Sequence, residues 1–488
     1  MRFWRYMIGL LLVCGLSSAL PARSKISTQP IYGKDKLIAE INRILTSVDS
    51  NASVGIAVKS MRYGDTLYAK NINQLFVPAS ILKIFTAEAA LLYLGPTFTF
   101  PTRFFTDAAD SNTSRGVLNG NIYLVHSGDP SLTYSDITTL MTTLKSQQIH
   151  SVNGNVYIDN TAYDQAGIGP GWDGDDTRYC YGAPINASII NHNCLSFKVA
   201  PAKKSGHSAS IVPNPHYYYG NIVNDVVTKS PRARSCYLKL GRAADSTISI
   251  SGCVPKGRYA QGVSTVIANI MQYNKSLLES LFKRFGIRVN GGIHAGIVPR
   301  NSSVLAIHES EPLETLINEM LKMSDNVIAG SIFKKIGEMY TKQPGSWENG
   351  STAVKQILAS RADVDTYDMR IIDGSGLSPN NEIKPVQMIQ VLDFAYHNSS
   401  TNYAFISALP IAGVDGTLKH RLYNVARKVR AKTGTMAASG VVSLAGYVVS
   451  KDKEPIAFVI IVNGRTGNAW RYREMEDKII TALSNYVR

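Results

Sequence analysis

The chain is poor in cysteine, has no histidine cluster and lacks long apolar runs. Its five cysteines include no C-x-x-C pair, and its nine histidines fall at no ligand-like spacing. A zinc finger or other dedicated metal site is therefore not expected, and neither metal nor cofactor is called for. Beyond the N-terminus, no apolar stretch approaches the ~20 residues that a membrane-spanning helix needs. No internal repeat or low-complexity tract is visible, which sets aside solenoids and fibres. Acid is in short supply: 36 Asp and Glu face 51 Lys and Arg, a formal net charge of +15. That balance favours anionic surroundings. The basic residues are scattered apart from Lys419 to Lys432, and no nucleic-acid motif accompanies them, so no nucleic-acid partner is expected. The Gly167 to Gly171 stretch is glycine-rich but precedes no helix, so it is not a phosphate loop.

What is present is an ordinary globular composition. The 488 residues are 44% hydrophobic and 18% charged, enough for more than one domain. Arg2 and Arg5 precede an apolar run from Met7 to Leu16, followed by Ser17, Ser18 and Ala19. Residues 1–22 read as a secretory signal, cut after Ala19 or Ala22. The alternative is an uncleaved anchor, for which the run is short. A periplasmic or extracellular location follows. Cys14 would leave with the signal. Cys180, Cys194, Cys236 and Cys253 remain, an even set suited to an oxidising space. Three pairings are open, and proximity favours Cys180 with Cys194 and Cys236 with Cys253.

Three segments follow the signal. In residues 23–96, Lys36 to Leu45 has helical spacing, and Ser53 to Ser60 and Asp65 to Lys70 alternate like strands of a hairpin. Residues 97–304 read as inserted β-rich domains. Short strand-like runs dominate there: Val117 to Val125, Val152 to Asp159, Leu195 to Val199 and Thr247 to Ile250. A helical run from Val263 to Phe285 sits near the end. In residues 305–488 helices return over Leu313 to Met323, Asn326 to Met339 and Val386 to Tyr396. Lys428 to Gly434, Val441 to Val449 and Ile456 to Val462 are strands of one sheet, and Trp470 to Tyr486 is a closing helix.

The organising stretch is Val77 to Ala87, read as a helix opening after Pro78. Ser80 and Lys83 lie about one turn apart and share a face. A lysine among Ile81, Leu82, Ile84 and Phe85 is partly desolvated, which disfavours its charged form. A neutral lysine beside a serine is a base for a nucleophile. The bare pattern S-x-x-K is cheap, expected roughly twice in such a chain, and recurs at Ser280, Ser331 and Ser450. Acyl transfer also needs a proton carrier, a group to hold an amide, and a wall for the oxyanion. Ser324-Asp325-Asn326 offers a hydroxyl and a carboxamide on one turn. Lys432-Thr433-Gly434-Thr435 offers a cation on a strand, with a glycine that permits close approach. S-x-N also occurs at Ser151, Ser378 and Ser400, and its bland reading is a helix cap. For Lys432 the bland reading is a basic edge strand.

The ordered set S-x-x-K, S-D-N and K-T-G resembles the trio of β-lactamases and penicillin-binding proteins. The 244 positions between Ser80 and Ser324 exceed a compact β-lactamase domain. The chain is thus similar to class C low-molecular-mass penicillin-binding proteins, the D-alanyl-D-alanine carboxypeptidase/endopeptidase family. Further stretches match that family: Ser127-Gly128-Asp129-Pro130-Ser131-Leu132, Gly169-Pro170-Gly171-Trp172, Gly182-Ala183-Pro184, Asp373-Gly374-Ser375-Gly376-Leu377-Ser378 and Gly413-Val414-Asp415-Gly416-Thr417-Leu418. Pro379 departs from it, standing where the family often carries arginine.

The resemblance implies an α+β fold: a penicillin-binding/transpeptidase-like (β-lactamase-like) domain, its antiparallel sheet flanked by helices and interrupted by the inserted domains. It implies that Ser80 attacks a D-Ala–D-Ala or crosslink carbonyl of peptidoglycan peptide stems, with Lys83 as base. Ser324 would pass a proton to the leaving amine, tuned by Lys432. Asn326 would hold the substrate amide and Lys83, and Thr433 with Lys432 the terminal carboxylate. Gly434 allows close approach, and the N–H groups of Ser80 and Thr435 would form the oxyanion hole. β-Lactams are expected covalent inhibitors. Asp159 and Asp173 are candidates for the substrate's free amine. The basic stretch from Lys419 to Lys432 suggests peripheral membrane or wall association, or simply a solvated strand face. Two rivals stand beside this reading: a β-lactamase, and a secreted binder of cell-wall fragments without turnover.

Overall fold

The computed structural model describes residues 29–46, 51–109, 113–114, 116–214, 220–243 and 247–488. The predicted signal segment lies outside them. Strands from both ends of the chain build one sheet. Its order is Val429–Met436, Val441–Val449, Pro455–Asn463, Ser53–Ser60, Thr66–Lys70, antiparallel throughout. Ser53 pairs with Asn463 and Ser60 with Ile456, so the N-terminal hairpin is locked against the C-terminal strands. Val441–Val449 and Pro455–Asn463 are buried almost end to end, which is why they read as continuous apolar runs rather than alternating ones.

Each face of this sheet is covered. On one side Lys34–Leu45 and Ala469–Asn485 lay Leu37, Ile41, Tyr472, Ile479 and Leu483 into a core with Ile56, Val58, Leu444 and Ile460. On the other lies a helical layer of Lys83–Tyr93, Leu313–Met323, Asn326–Thr341, Trp347–Ala362 and Pro385–His397. Hydrophobic burial on both faces fixes where the nucleophile segment sits between sheet and helices.

The inserted region has its own core. Its main sheet has the order Ile293–Ala295, Val156–Asp159, Ile122–His126, Pro101–Thr106, Ser303–Glu309. Two of its pairings are parallel. Smaller sheets formed by Cys194–Ala200, Ser210–Asn214 and Gln261–Val266, and by Ile222–Lys229, Leu238–Arg242 and Ile248–Pro255, lie beside it. Cysteine proximity chose correctly: the disulfides are Cys180–Cys194 and Cys236–Cys253.

Three readings need correcting. The run from Val263 to Phe285 is not one helix but the strand Gln261–Val266 and the helix Ile270–Arg284. Val263, Thr265 and Val266 are β-branched, and the Asn269 side chain caps the helix at the Gln272 N–H, 2.9 Å away. The insertion also holds the helix Tyr134–Ser146. Its four threonines disguise a helical stripe of Ile137, Leu140, Met141 and Leu144, and a Thr133–Asp136 capping box opens it. Finally, the helix after Pro78 opens as one 3-10 turn, Ala79–Leu82, and turns α-helical only at Lys83–Tyr93.

Candidate active site

The 3-10 turn sets the geometry of the nucleophile. In that helix residues three apart eclipse, so Lys83 sits directly over Ser80. Lys83 Nζ is 3.1 Å from Ser80 Oγ, 2.6 Å from Asn326 Oδ1 and 2.7 Å from the Ser375 carbonyl. Those three acceptors use the three donors of an ammonium, yet Lys83 is completely buried. Burial pulls its pKa down to about 7, against the opposing pull of Asp373 and Asp325. The amine is therefore poised to take a proton near neutral pH.

The turn is gripped from both sides. Ala79 has a φ of 49°, and Gly376 approaches so closely that a Cβ there would lie 2.0 Å from the Ala79 carbonyl. Asp373 organises that loop by accepting the N–H groups of Ser375, Gly376 and Ser378 and the Trp172 indole N–H at 2.6 Å. On the other side, Ser443 Oγ donates to the Pro78 carbonyl at 2.6 Å. A Cβ on Gly434 would meet that Oγ at 2.2 Å and the Ser80 nitrogen at 3.0 Å. Strand Val429–Met436 thus passes the nucleophile at backbone contact distance.

The S-D-N turn joins two helices. Ser324, left-handed at φ 61°, ends Leu313–Met323, and Asp325 caps Asn326–Thr341 by accepting the Ile328 N–H at 2.8 Å. Asn326 Nδ2 donates to the Tyr181 carbonyl at 2.9 Å. Burial alone would raise the Asp325 pKa, but His192, the Ile328 N–H and Lys83 outweigh it and hold the carboxyl below its ordinary range. Opposite, Lys432 Nζ is 2.8 Å from Ser324 Oγ and 2.7 Å from the Thr433 carbonyl. Burial, and then the proximity of Lys83, push its pKa well down. Thr433 Oγ1 donates to Thr417 Oγ1 at 2.7 Å, and Arg473 Nη2 to Thr435 Oγ1 at 3.1 Å. A groove of about 610 Å³ opens beside this centre, lined by Ser324, Asn326, Tyr134, Tyr181 and His192.

The structure therefore gathers Ser80, Lys83, Ser324, Asn326, Lys432, Thr433, Gly434 and Thr435 into one place. The competing S-x-x-K motifs are spent elsewhere. Lys334, three residues after Ser331, is tied to Asp164 at 2.7 Å, and Ser331 bonds the Gly128 carbonyl. Ser280 and Lys283 are exposed, and Ser450 belongs to a tight turn. Asp159 is not available to a substrate amine: it is 3% exposed and accepts from Thr161 and Val298. Asp173 is exposed, with Oδ1 accepting the Asp175 N–H. Sequence reasoning missed the Ser375 and Tyr181 carbonyls, Thr417 and Arg473. Backbone carbonyls leave no residue signature, although Ser375 and Thr417 lie in stretches already singled out.

A serine held by a buried amine, with a second lysine–serine pair facing it across the sheet edge, defines a serine acyl-transfer centre of the β-lactamase-like fold. Comparison with known proteins makes this specific. Residues 37–486 match the sequence model of the D-Ala-D-Ala carboxypeptidase 3 (S13) family. A D-alanyl-D-alanine carboxypeptidase, DacB, of Haemophilus influenzae is 30% identical over 431 residues, 87% of this chain and 88% of that protein. An Actinomadura D-alanyl-D-alanine carboxypeptidase is 29% identical over 468 residues, covering 92% and 85%. The crystal structure of penicillin binding protein 4 (dacB) from Haemophilus influenzae superposes with a TM-score of 0.79 at 28% identity, covering 91% of this chain and 99% of that one. The chain belongs to the D-Ala-D-Ala carboxypeptidase 3 (S13) family.

Proposed function

We propose that this protein is a serine D-alanyl-D-alanine carboxypeptidase/endopeptidase that cleaves peptidoglycan peptide stems and crosslinks through a Ser80 acyl-enzyme. One observation carries the reading: Lys83, buried and with its pKa drawn down to about 7, lies 3.1 Å from Ser80 Oγ. Ser80 Oγ attacks the carbonyl before the terminal D-residue and its proton passes to Lys83. The carbonyl oxygen gathers negative charge beside the backbone N–H groups of Ser80 and Thr435. As the C–N bond breaks, Ser324 protonates the leaving amine and is reprotonated from the lysines. Water then hydrolyses the ester, with Lys83 again the base.

Lys432 and Thr433 take the substrate's terminal carboxylate. Burial, and then the neighbouring Lys83, disfavour the charged form of Lys432. An arriving carboxylate supplies a counter-charge and favours the charged form again. Asn326 holds the substrate amide and Lys83 together. Asp173, exposed and near enough for its charge to act on Tyr181, takes the free amine of the stem. An exported, oxidising location fits the two disulfides, and among the described residues no helix is long and apolar enough to cross a membrane. A related Haemophilus structure is described as complexed with a novel β-lactam, which supports Ser80 as a β-lactam target.

The test is mass spectrometry after penicillin exposure, paired with muropeptide digestion. A penicilloyl adduct on the Ser80 peptide and loss of D-Ala release in Ser80→Ala are expected. An unmodified wild-type chain would refute the proposal, and rapid turnover of the drug instead of trapping would make the protein a β-lactamase.

A further inference from the structure

The segment between Cys180 and Cys194 reaches out of the insertion and meets the S-D-N turn twice. The Tyr181 carbonyl accepts the Asn326 amide at 2.9 Å. His192 Nδ1 lies 3.4 Å from Asp325 Oδ2. The other Asp325 oxygen caps the helix at Ile328, so one carboxylate serves both the helix start and the imidazole. Asp325 lies between Ser324 and Asn326, and moving it moves both.

His192 is placed there at a conformational cost. Asn191, His192 and Asn193 have φ values of 50°, 56° and 50°, three left-handed residues in succession with no glycine among them. Each costs roughly 1 kcal/mol, and such a run persists only where the surroundings over-determine it. They do so here. The Asn191 N–H donates to the Leu132 carbonyl at 2.8 Å, and its Oδ1 accepts the Tyr134 N–H at 3.1 Å. Asn193 Nδ2 donates to the Pro184 carbonyl at 2.9 Å. The Cys180–Cys194 disulfide closes the loop next to both contacts, with the two Cα atoms 5.5 Å apart. Besides Asp325, the charged groups that act on the imidazole are Glu319, on Leu313–Met323, and Asp129, in the insertion.

We infer that His192 is a positioning residue for the acyl transfer, and that the disulfide-closed loop uses it, with the Tyr181 carbonyl, to hold the Ser324 hydroxyl and the Asn326 amide in register with Lys83 and Lys432. The insertion, on this view, completes the active site as well as filling space beside it. The inference rests on the Ser80 acyl-enzyme reading above.

Stopped-flow acylation of the full chain by a fluorescent penicillin separates the two. In His192→Ala the acylation rate constant should fall about ten- to a hundredfold, the cost of a sub-ångström misplacement, while the dissociation constant of the pre-acylation complex stays within about twofold. His192→Gln, which keeps a donor, should restore most of the rate. Asp325→Asn keeps the cap but discharges the partner. Its effect should not add to that of His192→Ala, and it reads the same contact if the alanine variant does not fold. Cys180→Ser/Cys194→Ser should slow acylation similarly, whereas Cys236→Ser/Cys253→Ser should not. Wild-type rates in His192→Ala, or additive losses in the double variant, overturn the inference. No acylation in the wild-type protein would instead overturn the reading of Ser80.

Discussion

Replacing Gly434 with alanine tests the nucleophile site through one methyl group. The added Cβ would lie 2.2 Å from Ser443 Oγ, 2.9 Å from the Pro78 carbonyl and 3.0 Å from the Ser80 nitrogen. Ordinary contact begins near 3.4 Å, so the hydroxyl is about 1.2 Å too close and the Ser80 amide about 0.4 Å. The Ser443 hydroxyl has no cheap escape, because turning away breaks its 2.6 Å bond to the Pro78 carbonyl, the same carbonyl that is crowded. The strand must therefore retreat from the nucleophile turn. Overpacking of this kind costs about 1–3 kcal/mol of stability. The rate should suffer more, since the oxyanion hole proposed for the Ser80 and Thr435 N–H groups depends on that approach. Losing one such donor slows acyl transfer about 10²–10³-fold. Single-turnover acylation by a fluorescent penicillin measures the rate, and a thermal melt on the same sample shows how much protein remains folded. A folded Gly434→Ala that acylates within about threefold of wild type would refute the claim that backbone contact between strand and turn builds the oxyanion hole.

Acylation should rise with pH through about 7, because Lys83, the proposed base, can accept a proton only when neutral; Lys83→Arg, which cannot shed its proton, should lose about 10²–10⁴-fold at every pH from 6 to 9. Glu88 gives a stability prediction of opposite sense. Burial raises its pKa from 4.5 to about 7, opposed by its bond to Thr401, so the stability it contributes is complete below about 4.5 and lost as pH climbs through 7. Chemical denaturation at pH 5 and pH 8 should show Glu88→Gln losing on the order of 2–3 kcal/mol less than wild type across that interval; equal losses would sink the assignment. Trp172→Phe removes the indole donor to Asp373 and should cost about 1.5–3 kcal/mol in urea titration, since a buried carboxyl oxygen is left without that donor. Crosslinked and uncrosslinked muropeptides offered together will show whether the same Ser80 serves both bond types, with Ser80→Ala silencing both.

The sequence by itself determined the chemical parts and their order. Ser80 and Lys83 are three apart, and any right-handed helical turn puts them on one face. The sheet strands Val441–Val449 and Pro455–Asn463 announced themselves because full burial leaves no polar alternation. Cysteine spacing chose both disulfides because short loops close easily. Tertiary structure alone decided the rest. Lys83 could be read as desolvated, but the carbonyl of Ser375 that fills its third bond comes from nearly three hundred residues away and carries no side-chain signature. The threonine-rich helix Tyr134–Ser146 hid because its local preferences are not helical and its packing is. Asp159 looked available until its turn and Val298 consumed it. Among four S-x-x-K motifs, only the structure shows which lysine is dry and bonded to its serine, since burial and distance belong to the folded chain and not to spacing along it.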